Sequence, residues 1–248
     1  MQTRVDEVAD GIYRLETVIE EAAPGGFGFN QFVVLADEPL LFHTGHRGMF
    51  PLVSEAVARL VPLDRLRWIS FGHVEADECG ALNDFLAAAP NATALHSRLG
   101  TAVSIADLAD RPPHALAHGE VIDLGGKRIR LLETPHVPHN WEAIMLFEET
   151  TRTLLAGDLG SNLKHGHAFV DSGVVESTFE TDEAFPGVAS LSAGTGERIR
   201  ALADLAPETL AVMHGASYRG DVATVLRDLA AGYDDRVRAA LDAGLVTA

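Results

Sequence analysis

Cysteine is almost missing from this chain: of 248 residues only Cys79 carries a thiol. One thiol cannot build an internal disulfide framework, and such sparse use fits a reducing, cytoplasmic setting. Basic residues are scarce too. Lys and Arg total 19 against 36 Asp and Glu, a net charge of −17. No Lys/Arg cluster offers the electropositive face that nucleic acid requires, and the acidity disfavours anionic membranes. No apolar run approaches the ~20 residues of a membrane span. The opening residues, Met1-Gln2-Thr3-Arg4-Val5-Asp6-Glu7, lack the apolar stretch of a signal peptide. The expected partners therefore include neither nucleic acid nor membrane. A phosphate-binding loop is excluded as well. Pro24-Gly25-Gly26-Phe27-Gly28-Phe29-Asn30 is glycine-rich, but it has no strand–GxGxxG–helix context and no following Lys. It reads as a connection, with a lid over a site as the alternative.

What the chain has is a packed core and many histidines. Hydrophobic residues make up 47%, enough to bury a core without staples. Alternating apolar runs predict hairpins at Val8–Ile19, at Gln31–Ala36 with Leu40–His43, and at Glu120–Leu124 with Lys127–Leu132. Further strands are expected over Arg65–Phe71, Ala92–His96, Ala143–Phe147, Thr153–Ala156 and Thr209–Met213. Helical spacing appears over Phe50–Val61, Cys79–Ala89, Leu99–Leu108, Leu191–Leu205 and Asp221–Ala240. Residues 160–190 read as irregular. Two β-rich blocks, each followed by helices and with no linker between, suit an α/β (α+β) chain of two packed sheets with helices outside.

There are 11 histidines, and several stand where apolar strands stop. The strand ending at Phe71 runs into His73-Val74-Glu75-Ala76-Asp77-Glu78. Alternate spacing aims His73, Glu75 and Asp77 at one point, and the small apolar residues between them cannot compete. His136, Asp158 and His214 follow later strands in the same way. Strand ends are where open α/β architectures place their sites. Three imidazoles and three carboxylates exceed what one tetrahedral zinc takes, and they suit two metals sharing a carboxylate. Asp158 is the natural bridge, with His73, Glu75 and His136 on one metal and Asp77 and His214 on the other. The oxygen-rich set, without thiolate, suits iron; manganese and zinc are the alternatives.

With these residues the chain resembles the metallo-β-lactamase fold superfamily, whose hallmark is HxHxDH followed by a His, an Asp and a last His. Here the first element reads His73-x-Glu75-x-Asp77-Glu78. Glu75 in second place resembles the diiron branch, the flavodiiron proteins and single-domain oxygen-binding diiron proteins. The resemblance runs from the first hairpin to His214. It implies an αββα sandwich of two packed mixed β-sheets with helices on both outer faces, as one domain over 1–248. Thr134-Pro135-His136-Val137-Pro138-His139 resembles the family's TP…HxP loop, which places the ligand at His136, with His139 as its rival. Glu78 departs from the pattern. It is expected beside a ligand imidazole or as an N-cap carboxylate, and His43, His46, His165 and His167 stand near the site or on the surface. Cys79, opening a helix, is expected to have a lowered pKa or to be a small buried residue. Trp141 and Phe147 read as core.

The resemblance implies two metal ions, iron first, binding, sensing or reducing dioxygen or nitric oxide. No flavin mononucleotide is expected in this chain, so electrons would come from a separate partner, and a homodimer is implied. The alternatives are a dinuclear zinc hydrolase of esters, lactones, thioesters or phosphoesters, with Asp77 and Asp158 orienting the nucleophile, and a non-catalytic metal-containing sensor.

Overall fold

The computed structural model describes residues 2–23 and 25–244. Met1 of the opening segment and Pro24 of the glycine-rich segment lie outside them. The first sheet runs in chain order through β1 (Thr3–Ala9), β2 (Ile12–Ile19), β3 (Phe27–Val34), β4 (Leu40–Phe42), β5 (Trp68–Ser70), β6 (Thr93–Ser97) and β7 (His114–Leu116). Its first four strands are antiparallel and the rest parallel. The second sheet contains β8 (Val121–Asp123), β9 (Arg128–Glu133), β10 (Ile144–Glu148), β11 (Thr153–Leu155), β12 (Phe169–Val170), β13 (Thr209–Ala211) and β14 (Ser217–Arg219), in the order β12-β14-β13-β11-β10-β9-β8. It too is mixed, since β11 pairs parallel with β13 and antiparallel with β10. Both sheets thus mix directions, as expected.

The strands sort their side chains by period two. Phe32, Val34, Leu40 and Phe42 join Ile129, Leu131, Ile144 and Leu146 in a layer between the sheets. The alternate residues Val33, Leu41 and Ile69 face α1 (Phe50–Ala58) and, beyond the short α2 (Ala76–Cys79), α3 (Leu82–Ala88). Met145 and Phe147 face the other way, onto α4 (Val174–Ala184), α5 (Thr195–Ala203) and α6 (Val222–Asp242). Strands covered on both faces read as near-continuous apolar runs, which is how they appear in the sequence. Among the described residues no helix is long and apolar enough to cross a membrane.

Strands β7, β12 and β14 are additional to those expected, and two further segments differ from expectation. The glycine-rich stretch becomes strand from Phe27 onward, because β3 pairs with β2 as far as Ile19↔Phe27. It is not a free lid. The stretch expected to be irregular contains α4. Its buried face is Val174, Ser177, Thr178 and Thr181, with only one apolar residue to signal a helix. The hydroxyls are satisfied within it: Ser177 donates to Gly173 O, Thr178 to Val174 O and Thr181 to Ser177 O. Such back-bonding lets polar residues occupy a buried face.

The turn after β13 needs glycine. Gly215 has φ 85°, and a Cβ there would stand 2.1 Å from Asn162 O. Arg14, wholly buried, and Asn30 both donate to Gly215 O, so this turn is clamped from below. Gly215→Ala is expected to cost roughly 3 kcal/mol through left-handed strain and the clash. Urea denaturation checks this, and a midpoint equal to wild type would refute it.

Candidate metal centre

The loop after β5 builds the first half of the site. Its backbone is pinned by carboxylates: Glu78 accepts the His73 N–H at 2.6 Å and Glu142 accepts the Val74 N–H at 3.0 Å. Gly72 leaves room for this, because a Cβ there would meet Glu78 Oε2 at 3.0 Å. His73 Nε2 then lies 2.8 Å from Glu75 Oε2. The Thr134–Asn140 loop brings His139 Nε2 to 2.8 Å from His73 Nε2 and 3.1 Å from Glu75 Oε2. Asp158, just past β11, places Oδ2 at 3.8 Å from His73 Nε2 and 3.5 Å from His139 Nε2. The ligand-type atoms of these four residues all lie within 4.8 Å of one another.

The second half meets the first at Asp158. Its other oxygen, Oδ1, is 3.3 Å from His214 Nε2, and Asp77 Oδ2 is 3.4 Å from the same nitrogen. One carboxylate therefore faces both groups. Five of the six expected ligand residues, His73, Glu75, Asp77, Asp158 and His214, converge here.

The sixth, His136, does not, and His139 stands in the cluster in its place. The His136 N–H donates to Asn140 O at 2.7 Å, with both residues at positive φ. This tight turn buries Val137 in the core and leaves His136 in an outer cleft of about 760 Å³ with Asn140, Trp141 and Ser190. His139 is drawn inward instead, with Nδ1 2.5 Å from Val188 O. Trp141 is corrected: it is 54% exposed and lines that cleft, whereas Phe147 is core as expected.

The supporting shell is only partly as anticipated. Glu78 is fully buried, with Oε1 3.3 Å from His73 Nδ1 and 3.3 Å from His43 Nε2. It serves ligand positioning, not helix capping. His43 stands behind it, wholly buried, and burial pushes its pKa down to about 3. Cys79 does not have the expected lowered pKa. Burial, aided by Glu78, pushes the thiol up to about 12, and Cys79 ends the short helix Ala76–Cys79 instead of opening one. His165 lies 2.7 Å from Gly25 O, His46 packs on Phe29 and His167 is exposed; none joins the cluster. Sequence reasoning missed Glu142, Arg14, Asn30 and Asn162. Asn162 Oδ1 accepts the Ala216 N–H just past His214, and nothing in the sequence around it marks that role.

Three observations test whether these residues fit metal. Two imidazoles donate Nδ1–H to a carbonyl, His139 to Val188 O and His214 to Gly28 O, and His73 Nδ1 faces Glu78 Oε1 at 3.3 Å. For His139 and His214 this fixes the Nδ1–H tautomer and leaves the Nε2 lone pair facing the carboxylates, the usual arrangement behind ligating histidine. His73 Nε2 and His139 Nε2 face each other at 2.8 Å, which only a cation or proton between them reconciles. Buried Asp77 Oδ1, Asp158 Oδ1 and Glu78 Oε1 lack a well-aligned hydrogen-bond donor, although imidazole nitrogens stand 3.3 Å from the last two. The residues fit.

The electrostatics agree. Burial opposes charge on His73, yet Glu78, the Glu75 bond and Asp158 outweigh it and lift the imidazole to about 10. His214 rises to about 10 as its Asp158 and Asp77 bonds overcome burial. Hydrogen bonds from His139 and His73 hold Glu75 down to about 2. Burial pushes Asp158 up, but the His214 bond and charge win and its pKa falls. The site binds positive charge.

Comparison with known proteins gives the same fold. A family described as "ODP family beta lactamase" matches residues 27–214. Diflavin flavoprotein A 1 of Nostoc sp. is 25% identical over 79% of this chain and 34% of its own length. The anaerobic nitric oxide reductase flavorubredoxin of Pectobacterium atrosepticum is 26% identical over 59% of this chain and 29% of its own. Among solved structures, rubredoxin oxygen:oxidoreductase from Desulfovibrio gigas superimposes with a TM-score of 0.80 at 18% identity, over 95% of this chain and 62% of that one. The metal-soaked Flv1 flavodiiron core from Synechocystis sp. gives 0.76 at 18% identity, over 96% of this chain and 61% of that one. The chain spans about a third of the length of the curated relatives it matches.

Proposed function

This chain belongs to the ODP family of β-lactamase-like proteins, and on that footing we propose that it is a dinuclear non-haem iron protein that binds and reduces dioxygen or nitric oxide. The observation that carries this reading is Asp158, whose two oxygens face the His73–Glu75–His139 group and the Asp77–His214 group separately. His73, Glu75 and His139 would hold one iron, Asp77 and His214 the other, and Asp158 both. The irons would supply the electrons that a bound diatomic takes up. Three carboxylates and three imidazoles without thiolate favour iron over zinc. The similarity to proteins named for oxygen and nitric oxide reduction supports the same substrates.

The residues around the irons do the rest. Val188 O and Gly28 O set the tautomers of His139 and His214, and Glu78 holds the His73 backbone N–H and faces its Nδ1. Phe27 lies over His214 with ring centroids 4.5 Å apart and meets Phe185 at 5.4 Å, an apolar wall on one side of the site. A cavity of about 200 Å³ lies beside them, lined by Glu75, Asp77, His139, Asp158 and His214, and it has room for a diatomic. Electrons would come from a separate redox protein. We place the chain in the cytoplasm as one metallo-β-lactamase-like domain, 1–248, working as a homodimer.

The test is anaerobic purification with iron-supplemented growth, followed by exposure to air or nitric oxide. About two irons per chain, with a change in the visible spectrum and consumption of either gas by reduced protein, is the expected result. Two zincs with turnover of an ester or lactone would sink the proposal.

A further inference from the structure

Reduction of dioxygen or nitric oxide consumes protons as well as electrons, and the metal ligands are poor sources: each is committed to a cation. Of the groups lining the 200 Å³ cavity that hold no metal in our reading, three are polar: Ser161, Thr181 and Asp182. Thr181 spends its hydroxyl proton on Ser177 O within α4. Ser161 has a buried hydroxyl with no partner, but an alcohol is too weak an acid to deliver protons. Asp182 is the ionisable group among them. It is anchored from behind by Tyr233 of α6, which donates to Asp182 Oδ2 at 2.9 Å and is itself only 2% exposed.

We propose that Asp182, positioned by Tyr233, delivers protons to the reacting diatomic in this cavity. The inference rests on the oxygen or nitric oxide reading above. In each transfer the Asp182 O–H bond breaks, its electron pair stays on the carboxylate, and a new O–H bond forms on a substrate oxygen. The balance is O₂ + 4 e⁻ + 4 H⁺ → 2 H₂O, or 2 NO + 2 e⁻ + 2 H⁺ → N₂O + H₂O. The electrons come from an external one-electron donor protein through the irons. Asp182 is half-buried and recovers its proton from solvent.

The surroundings suit a shuttle. Burial raises the Asp182 pKa; the Tyr233 bond and Arg236 oppose this, and Glu183 adds to it. Arg236 donates to Glu183 at 3.1 Å, so its charge is shared. A carboxyl moved from its ordinary value towards the working pH transfers protons better in both directions.

The experiment uses the full iron-loaded chain, reduced with dithionite, freed of excess reductant and mixed with nitric oxide across a pH series. Asp182→Asn is expected to keep its iron and its nitric oxide binding spectrum while consuming the gas about 100-fold more slowly. Asp182→Glu restores part of the rate. Tyr233→Phe removes a bond that favours the carboxylate, so the pH limb moves upward. A second readout needs no turnover: infrared titration of metal-free protein should show a carboxyl band, absent in Asp182→Asn, that titrates above the ordinary Asp range. Wild-type turnover with Asp182→Asn within twofold of it, or an Asp182 band titrating at the ordinary Asp value, overturns this inference alone. Wild-type protein that holds iron but consumes neither gas overturns the functional reading and takes this inference with it.

Discussion

Replacing His139 with asparagine is expected to leave the chain with at most one tightly held metal, while His136→Asn keeps both. The two histidines stand three residues apart in one loop and both border the outer cleft, but only His139 reaches the carboxylate cluster. His139 Nε2 lies within 3.5 Å of His73, Glu75 and Asp158, and its far nitrogen is held by Val188 O. His136 faces the outer cleft with Trp141. Loss of even a supporting residue costs up to about 100-fold in metal affinity, and loss of a ligand should cost at least that. Metal titration into the two variants, read by calorimetry, checks it. Equal loss in both, or loss only in His136→Asn, would overturn the assignment of His139.

Glu78→Ala has the second largest expected effect, and it falls on stability and metal together. Glu78 is fully buried: Oε2 accepts the His73 N–H, and Oε1 lies 3.3 Å from both His73 Nδ1 and His43 Nε2. Removing it strands a buried amide donor and frees two imidazoles to rotate. Breaking a buried polar network by deleting one member costs about 3 kcal/mol or more. A ligand that has lost its orienting partner binds metal about 10- to 100-fold more weakly. Glu78→Gln keeps the shape and one acceptor oxygen, so it should fall between wild type and Glu78→Ala on both scales. Chemical denaturation of metal-free protein isolates the stability loss, and titration of the refolded variants gives the affinity. An alanine variant as stable as wild type would contradict the role given to Glu78.

The sequence displays the fold wherever one rule decides the outcome. Apolar alternation in β3, β4, β9 and β10 fixes which residues enter the central layer, because a strand has only two faces. The ligand-type residues at the ends of β5, β11 and β13 were visible for the same reason: each stands where an apolar run stops. The His136–His139 choice turned on the path of a seven-residue loop, where two left-handed residues and a buried Val137 outweigh any local pattern. Helix α4 was hidden because its buried face is mostly hydroxyls bonded to their own helix. With it went Asp182, which no motif marks. Cys79 shows a misplaced boundary: it ends a short helix instead of opening one, so burial and neighbouring carboxylates raise its pKa.

The central claim is that two irons sit on either side of Asp158. Anomalous diffraction at the iron absorption edge, on crystals grown from anaerobically purified protein, tests it most directly. Two iron peaks are expected, one among His73, Glu75 and His139 and one between Asp77 and His214, with Asp158 beside both. A single peak, peaks that appear only at the zinc edge, or a peak beside His136 would contradict it.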